Sequence, residues 1–171
     1  MVEEIKLDPS QIRFEGIFDW PALYSHMFTW LRGRKFDYYE KKHVVKKPGT
    51  FGYETEFIVQ AEREESPYLR LDIKMEIKGF QTEDVEVIEN GVKKQKTKVG
   101  MIYINLQPVL VLDWTKKWEG KVEKKAHTFF TKYIIRKQIE EWKEQLHYET
   151  YKFQTMIKKE LGLEHKYSAY E

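Results

Sequence analysis

The sequence predicts an α+β fold, in which a curled, mostly antiparallel sheet of about six to seven strands packs on a long C-terminal helix. A shorter N-terminal helix follows the first strand. One observation behind this is the run Tyr68 to Phe80, where Leu69, Leu71, Ile73, Met75 and Ile77 alternate with Arg70, Asp72, Lys74, Glu76 and Lys78. Side chains on a strand alternate faces with period two, so this run has a dry face and a charged one. One-sided wetting is the mark of an antiparallel sheet. The other observation is that no Gly or Pro occurs from Glu123 to Leu161, while apolar residues recur there at helical spacing. This helix is the cover that the dry face needs.

The elements follow in order. Gln11 to Phe18 reads as a first short strand, with Ile12 and Phe14 on one face. Asp19 is placed to cap a helix, and Pro21 falls in the first turn, where its missing N–H costs little. Trp20, Leu23, Tyr24, Met27, Trp30 and Leu31 then recur every three or four residues, giving an apolar face to a helix that ends near Gly33. Phe36 to Lys46 reads as a strand and Lys47-Pro48-Gly49-Thr50 as its turn. Phe51 to Glu62 alternates Tyr53, Thr55, Phe57, Val59 and Ala61 against Glu54, Glu56, Gln60 and Glu62. Ser66-Pro67 breaks the chain before the diagnostic run, and Gly79 marks an expected bulge. Val85 to Ile88 is a short strand that meets Asn90-Gly91, the strongest two-residue hairpin signal. Its return arm leads into Val99 to Leu106, and Pro108 demands an edge or a bulge before Val109 to Leu112.

In the last third, Phe130, Tyr133, Ile135, Ile139, Trp142, Leu146, Phe153, Met156, Ile157 and Leu161 trace a stripe, and Gly162 suits the position after a helix end. An unbroken helix over this span would be about 58 Å long, more than the diameter of a domain of this size. A bend is expected at His147 to Tyr151, where Glu149 and Thr150 interrupt the stripe, or else residues 149–171 form an overhanging helix end and flexible tail.

The chain has 171 residues, which suits a single domain, 1–171, with a substantial core. Hydrophobic residues at 41% and aromatic residues at 15% argue against disorder despite 34% charged residues. The absence of cysteine removes disulfides, thiolate metal sites and cysteine nucleophiles. The opening Met-Val-Glu-Glu-Ile-Lys lacks the pattern of a secretory signal, and a cytoplasmic location is the expectation. A formal net charge of +2 points to no nucleic-acid partner. Local lysine clusters occur at Lys41, Lys42, Lys46 and Lys47, at Lys93, Lys94, Lys96 and Lys98, and at Lys116, Lys117, Lys121, Lys124 and Lys125. Lysines beside hairpins ordinarily protect sheet edges; the alternative is an anionic membrane surface.

The order strand, helix, antiparallel strands, long C-terminal helix resembles the helix-grip fold of the START and Bet v 1-like superfamily. That superfamily normally has two short helices after the first strand, where this chain has room for one main helix. The resemblance implies a noncatalytic binding domain that encloses an apolar or amphipathic, lipid-like small molecule between sheet and C-terminal helix. The expected lining is Tyr53, Thr55, Phe57, Met75, Tyr103, Ile135 and Trp142, with Thr55 and the tyrosines as polar handles.

No phosphate loop, dinucleotide fingerprint or nucleophile elbow occurs, so no catalytic residue and no cofactor is assigned. Glu144 and His147, with Glu140 one turn earlier, form a single Glu-x-x-His, whereas a carboxylate-bridged metal pair needs two such elements. No metal site is assigned either. A competing function is a protein-interaction module with a filled core, its C-terminal helix meeting a partner or a second copy through Tyr151, Phe153, Met156 and Ile157. An enzyme hosted by the same fold is a third reading, without a polar residue to carry it.

Overall fold

The computed structural model describes residues 2–46, 49–116 and 121–163. The Lys47-Pro48 half of the expected turn, Lys117 and the expected tail beyond residue 163 lie outside them. Six strands form one antiparallel sheet: β1 (Glu3–Lys6), β2 (Ser10–Phe18), β3 (Asp37–Val45), β4 (Tyr53–Glu64), β5 (Leu69–Glu89) and β6 (Val92–Leu112). The order is β1-β6-β5-β4-β3, and β2 pairs with β6 along the same edge as β1. Helix α1 (Trp20–Gly33) lies between β2 and β3, and α2 (Lys121–Phe129), a π-helical turn (Phe130–Ile134) and α3 (Arg136–Glu160) close the described chain.

The alternation that predicts the sheet is realised on β5. Leu69, Leu71, Ile73, Met75 and Ile77 are all buried, and Val59 and Leu106 pair with Met75 from the strands on either side. The opposite face carries the charges, with one departure from a uniformly wet surface: Asp72 is buried beneath Arg70, Gln60 and their neighbours. The short strand expected at Val85 to Ile88 is the far end of β5, continuous with it. Asn90 and Gly91 both take positive φ at the hairpin tip, as a primed two-residue turn requires. The irregularity expected at Gly79 is present: the β4–β5 register slips between Gly79, opposite Thr55, and Thr82, opposite Tyr53, and within that stretch Gln81 has φ 51° and lies against Gly100. A Cβ on Gly100 would lie 2.3 Å from Gln81 Oε1, so the glycine makes room for that side chain.

Pro108 is neither on an edge strand nor at a bulge in β6; it sits inside β6, opposite Ile73 of β5. On a strand, a residue's N–H and C=O point the same way, and Pro108 O accepts from Leu7 N at 3.0 Å, so its missing donor faces the break between β1 and β2. Gln107 Nε2 donates to Leu7 O at 2.6 Å in place of the absent amide. The interrupted edge is thus the proline's solution.

Both long helices cover the concave face. Asp19 caps α1 by accepting from Ala22 N at 2.9 Å, and Leu23, Met27, Phe28 and Leu31 are its buried stripe. Helix α3 crosses β6 and β2 and packs on α1, where Trp30 stacks on Phe153 at 4.7 Å. The expected bend at His147 to Tyr151 is absent. Glu149 and Thr150 are buried, because Glu149 meets Arg63 of β4 and Thr150 Oγ1 donates to Leu146 O at 2.8 Å. The helical run is broken instead at the π-helical turn and Ile135. Nor is the C-terminal end of α3 an overhang: of the four expected interface side chains, Phe153 and Ile157 have no exposed surface, Met156 is half-buried and Tyr151 alone faces solvent. Exposed apolar side chains lie at the other end of the helical run, at Phe129, Tyr133 and Ile134. No helix among the described residues is long and apolar enough to cross a membrane.

Candidate functional site

The middle of the concave face is filled by the two helices, and open space remains at its two ends. The larger space, of about 690 Å³, lies where the start of β5 and the end of β6 run out beneath the N-terminal half of α3. Leu69 and Leu112 form its sheet side, Ile135, Ile139 and Trp142 its helix side, and Phe130 of the π-helical turn one flank. That size is within the range of small-molecule sites, which pair apolar walls with a few oriented polar groups. Here the polar groups come from the β4–β5 connection (Glu65, Ser66, Tyr68), from Asp113 and Thr115 after β6, and from Gln138, Glu141 and Gln145 on α3.

The local fold explains this opening. Ser66 Oγ accepts from the backbone N–H groups of Tyr68 and Leu69, which tightens the turn between β4 and β5. Trp114 Nε1 and Thr115 Oγ1 donate to Ser66 O and Pro67 O and tie the end of β6 to that turn. The Tyr68 hydroxyl lies 2.8 Å from His127 Nε2, so α2 is joined to the same corner. Burial raises the Tyr68 phenol well above its ordinary pKa, with Glu3 and Asp113 adding to the shift, and the hydroxyl stays a neutral hydrogen-bonding group.

The second space, of about 240 Å³, lies at the opposite end, beside the first turn of α1 and the base of the protruding β5–β6 arm. Phe18, Trp20 and Phe57 wall it, and Tyr53, Thr55, Thr82 and Asp84 supply polar groups. Tyr53 donates to Asp84 Oδ1 at 3.1 Å, and its phenol pKa is raised, first by burial and then by this bond and the carboxylate's charge.

The structure therefore divides the expected lining. Tyr53, Thr55 and Phe57 border the smaller space, while Ile135 and Trp142 border the larger. Met75 borders neither; it is 2% exposed in the packed core between them. Tyr103 is on the outer face of the sheet, packed against Arg13 and Phe80, because its register partner Lys78 belongs to the charged set of β5. The period-two pattern itself gives this answer, since Ile102 and Ile104 are the inward neighbours. Sequence reasoning missed Tyr68, Leu69, Leu112, Phe130 and Ile139 as site residues. Their strand and helix patterns are legible, but which strand ends lie under α3 depends on the crossing of helix and sheet, which periodicity does not encode.

Glu140, Glu144 and His147 are exposed along α3, and Glu140 accepts from Lys143 at 2.8 Å. Among the described residues no group of three or more His, Asp or Glu side chains is arranged to hold a metal ion. Compared with known protein families and with curated proteins, the chain matches none of them.

Proposed function

We propose that the protein binds an apolar or amphipathic small molecule, lipid-like in character, in the space between the end of the sheet and the N-terminal half of α3. The observation that carries this reading is the opening of about 690 Å³ with aliphatic and aromatic walls and polar groups at its edge. An acyl chain would lie along Leu69, Leu112, Ile135, Ile139 and Trp142, exchanging water for apolar contact. A polar head would meet the Ser66, Thr115 and Gln138 side of the rim. On this reading the sheet and α3 work as a helix-grip pair in which the grip is loose at one end and filled in the middle.

The test is displacement of an environment-sensitive fatty-acid probe by unlabelled lipid. Saturable one-to-one binding is expected, weakened by about tenfold or more in Ile135→Lys, which sets a cation against the chain at a half-buried position. Circular dichroism and the thermal midpoint of that variant should match the wild type. Absence of displaceable binding across fatty acids, lysolipids and sterols overturns the reading.

A further inference from the structure

The smaller space has a composition of its own. Its walls are aromatic and set at right angles: Phe18 meets Trp20 at 6.0 Å with planes 80° apart, and Trp20 meets Phe57 at 6.4 Å with planes 84° apart. Its floor is Gly79, where an added Cβ would lie 2.7 Å from Thr55 Oγ1 and 3.1 Å from Thr82 Oγ1. The glycine thus lets two hydroxyls converge where a side chain would stand. Thr82 is 3% exposed and its hydroxyl has no hydrogen-bond partner, a state that costs free energy unless something satisfies it. At the rim, the Asp84 carboxylate accepts from Tyr53 and forms no ion pair among the described residues.

The space is bordered by one carboxylate, Asp84, and one ammonium, Lys96. The lysine pairs in register with Val85, on the face opposite Asp84 and Thr97, and its Nζ is bonded to Glu89. Glu86, one step further along the face of Asp84, reaches Lys93 at 3.8 Å. His43 from β3 stands with its ring edge-on to Phe57 at 5.3 Å. Ring faces, hydroxyl oxygens and a carboxylate all favour positive charge.

We infer that this second space is a binding site for a small organic ammonium, its cationic nitrogen held between Asp84 and the aromatic walls and donating to the threonine hydroxyls. A volume of 240 Å³ corresponds to roughly eight water-sized groups, which suits one ring carrying a short aminoalkyl arm. The site is independent of the lipid groove, since Met75 and the buried stripe of α1 lie between them.

Benzylamine, protonated at neutral pH, and benzyl alcohol, its neutral counterpart of the same size, serve as probes in calorimetric titrations of the whole chain. Saturable binding of the amine is expected, about tenfold tighter than that of the alcohol, the scale of one cation–π or ion-pair contact. Asp84→Asn, at an exposed rim position, should remove that preference without altering the thermal midpoint, and Thr82→Val should weaken the amine severalfold. Fatty-acid probe binding should be unchanged by benzylamine and by Asp84→Asn, which separates this site from the groove. Equal affinity for the two probes, a preference that survives Asp84→Asn, or no saturable amine binding would each overturn the inference.

Discussion

Arg63 Nη1 holds both oxygens of Glu149, at 2.9 and 3.2 Å, and so joins the end of β4 to the middle of α3. The pair is largely removed from water, with side-chain exposures of 12% and 9%. Arg63 also donates to Arg34 O at 3.0 Å, bonds to Glu65 and lies over the Phe36 ring at 4.7 Å. One guanidinium therefore sets α3, the exit of α1 and the β4–β5 connection relative to one another, and that connection borders the larger cavity.

Removing one partner of such a pair leaves the other charge poorly solvated, which costs more than the intact pair contributes. Glu149→Leu is expected to destabilise the fold by about 3 kcal/mol, at the low end for a buried pair because Glu65 and Arg34 O still serve Arg63. Adding Arg63→Met should restore part of the loss. Denaturant unfolding of the single and double variants measures this, and a double variant no more stable than Glu149→Leu would count against the pair as the cause.

The register of the sheet is tested at adjacent positions. Ile73 is 1% exposed in the dry face, whereas Lys74 points outward and reaches Glu4 at 3.4 Å. Ile73→Asp should prevent folding, since it buries an unpaired carboxylate. Lys74→Asp should lower stability by about 1 kcal/mol or less, the scale of an exposed pair. Comparable thermal midpoints for the two variants would mean that the faces are assigned wrongly.

The faces of β5, the capping of α1 and the Asn90-Gly91 turn were legible because each follows from local chemistry: period two, an Asp before an apolar stripe, and a positive-φ pair. Glu149 shows why the rest was not. Along the sequence it interrupts an apolar stripe and looks like a bend, but its partner Arg63 is 86 residues away and only the folded chain supplies it. The β1–β2 break and Pro108 are a similar case, since the proline is acceptable in β6 only because the neighbouring edge is interrupted. The candidate lining is divided between two spaces for the same reason. Strand parity identifies Thr55 and helical spacing Trp142 as inward-facing, yet they lie at opposite ends because α1 and α3 occupy the space between.

Asp72 gives a pH signature. Burial pushes its carboxyl up, and the hydrogen bonds from Arg70 at 2.8 and 2.9 Å offset this only in part. Between the ordinary value, about 4, and the raised folded value, the native state binds more protons than the unfolded chain. The contribution of Asp72 to stability is therefore largest in acid and is lost as pH rises through that window. Asp72→Asn removes this dependence, so the thermal midpoint of the variant minus that of the wild type should increase as the pH rises from below the ordinary value through the window. A difference that falls over the same range would contradict the sign.

The last prediction concerns the end of α3. Phe153 and Ile157 have no exposed surface, and Leu161 is 5% exposed. Phe153 stacks on Trp30, and its neighbours in the core come from α1 and the sheet. Truncation after Tyr148 would remove these three side chains together with Glu149, leaving Arg63 without its α3 partner and Trp30 without its ring contact. Loss of a single buried Phe or Leu costs about 2–5 kcal/mol, and the combined loss is comparable with the whole stability of an ordinary domain. The truncated chain should therefore be unfolded or molten, with lost near-ultraviolet circular dichroism, whatever the oligomeric state of the full chain. A truncated protein that keeps the wild-type thermal transition while its mass by light scattering falls would instead show that this end of α3 serves an interface.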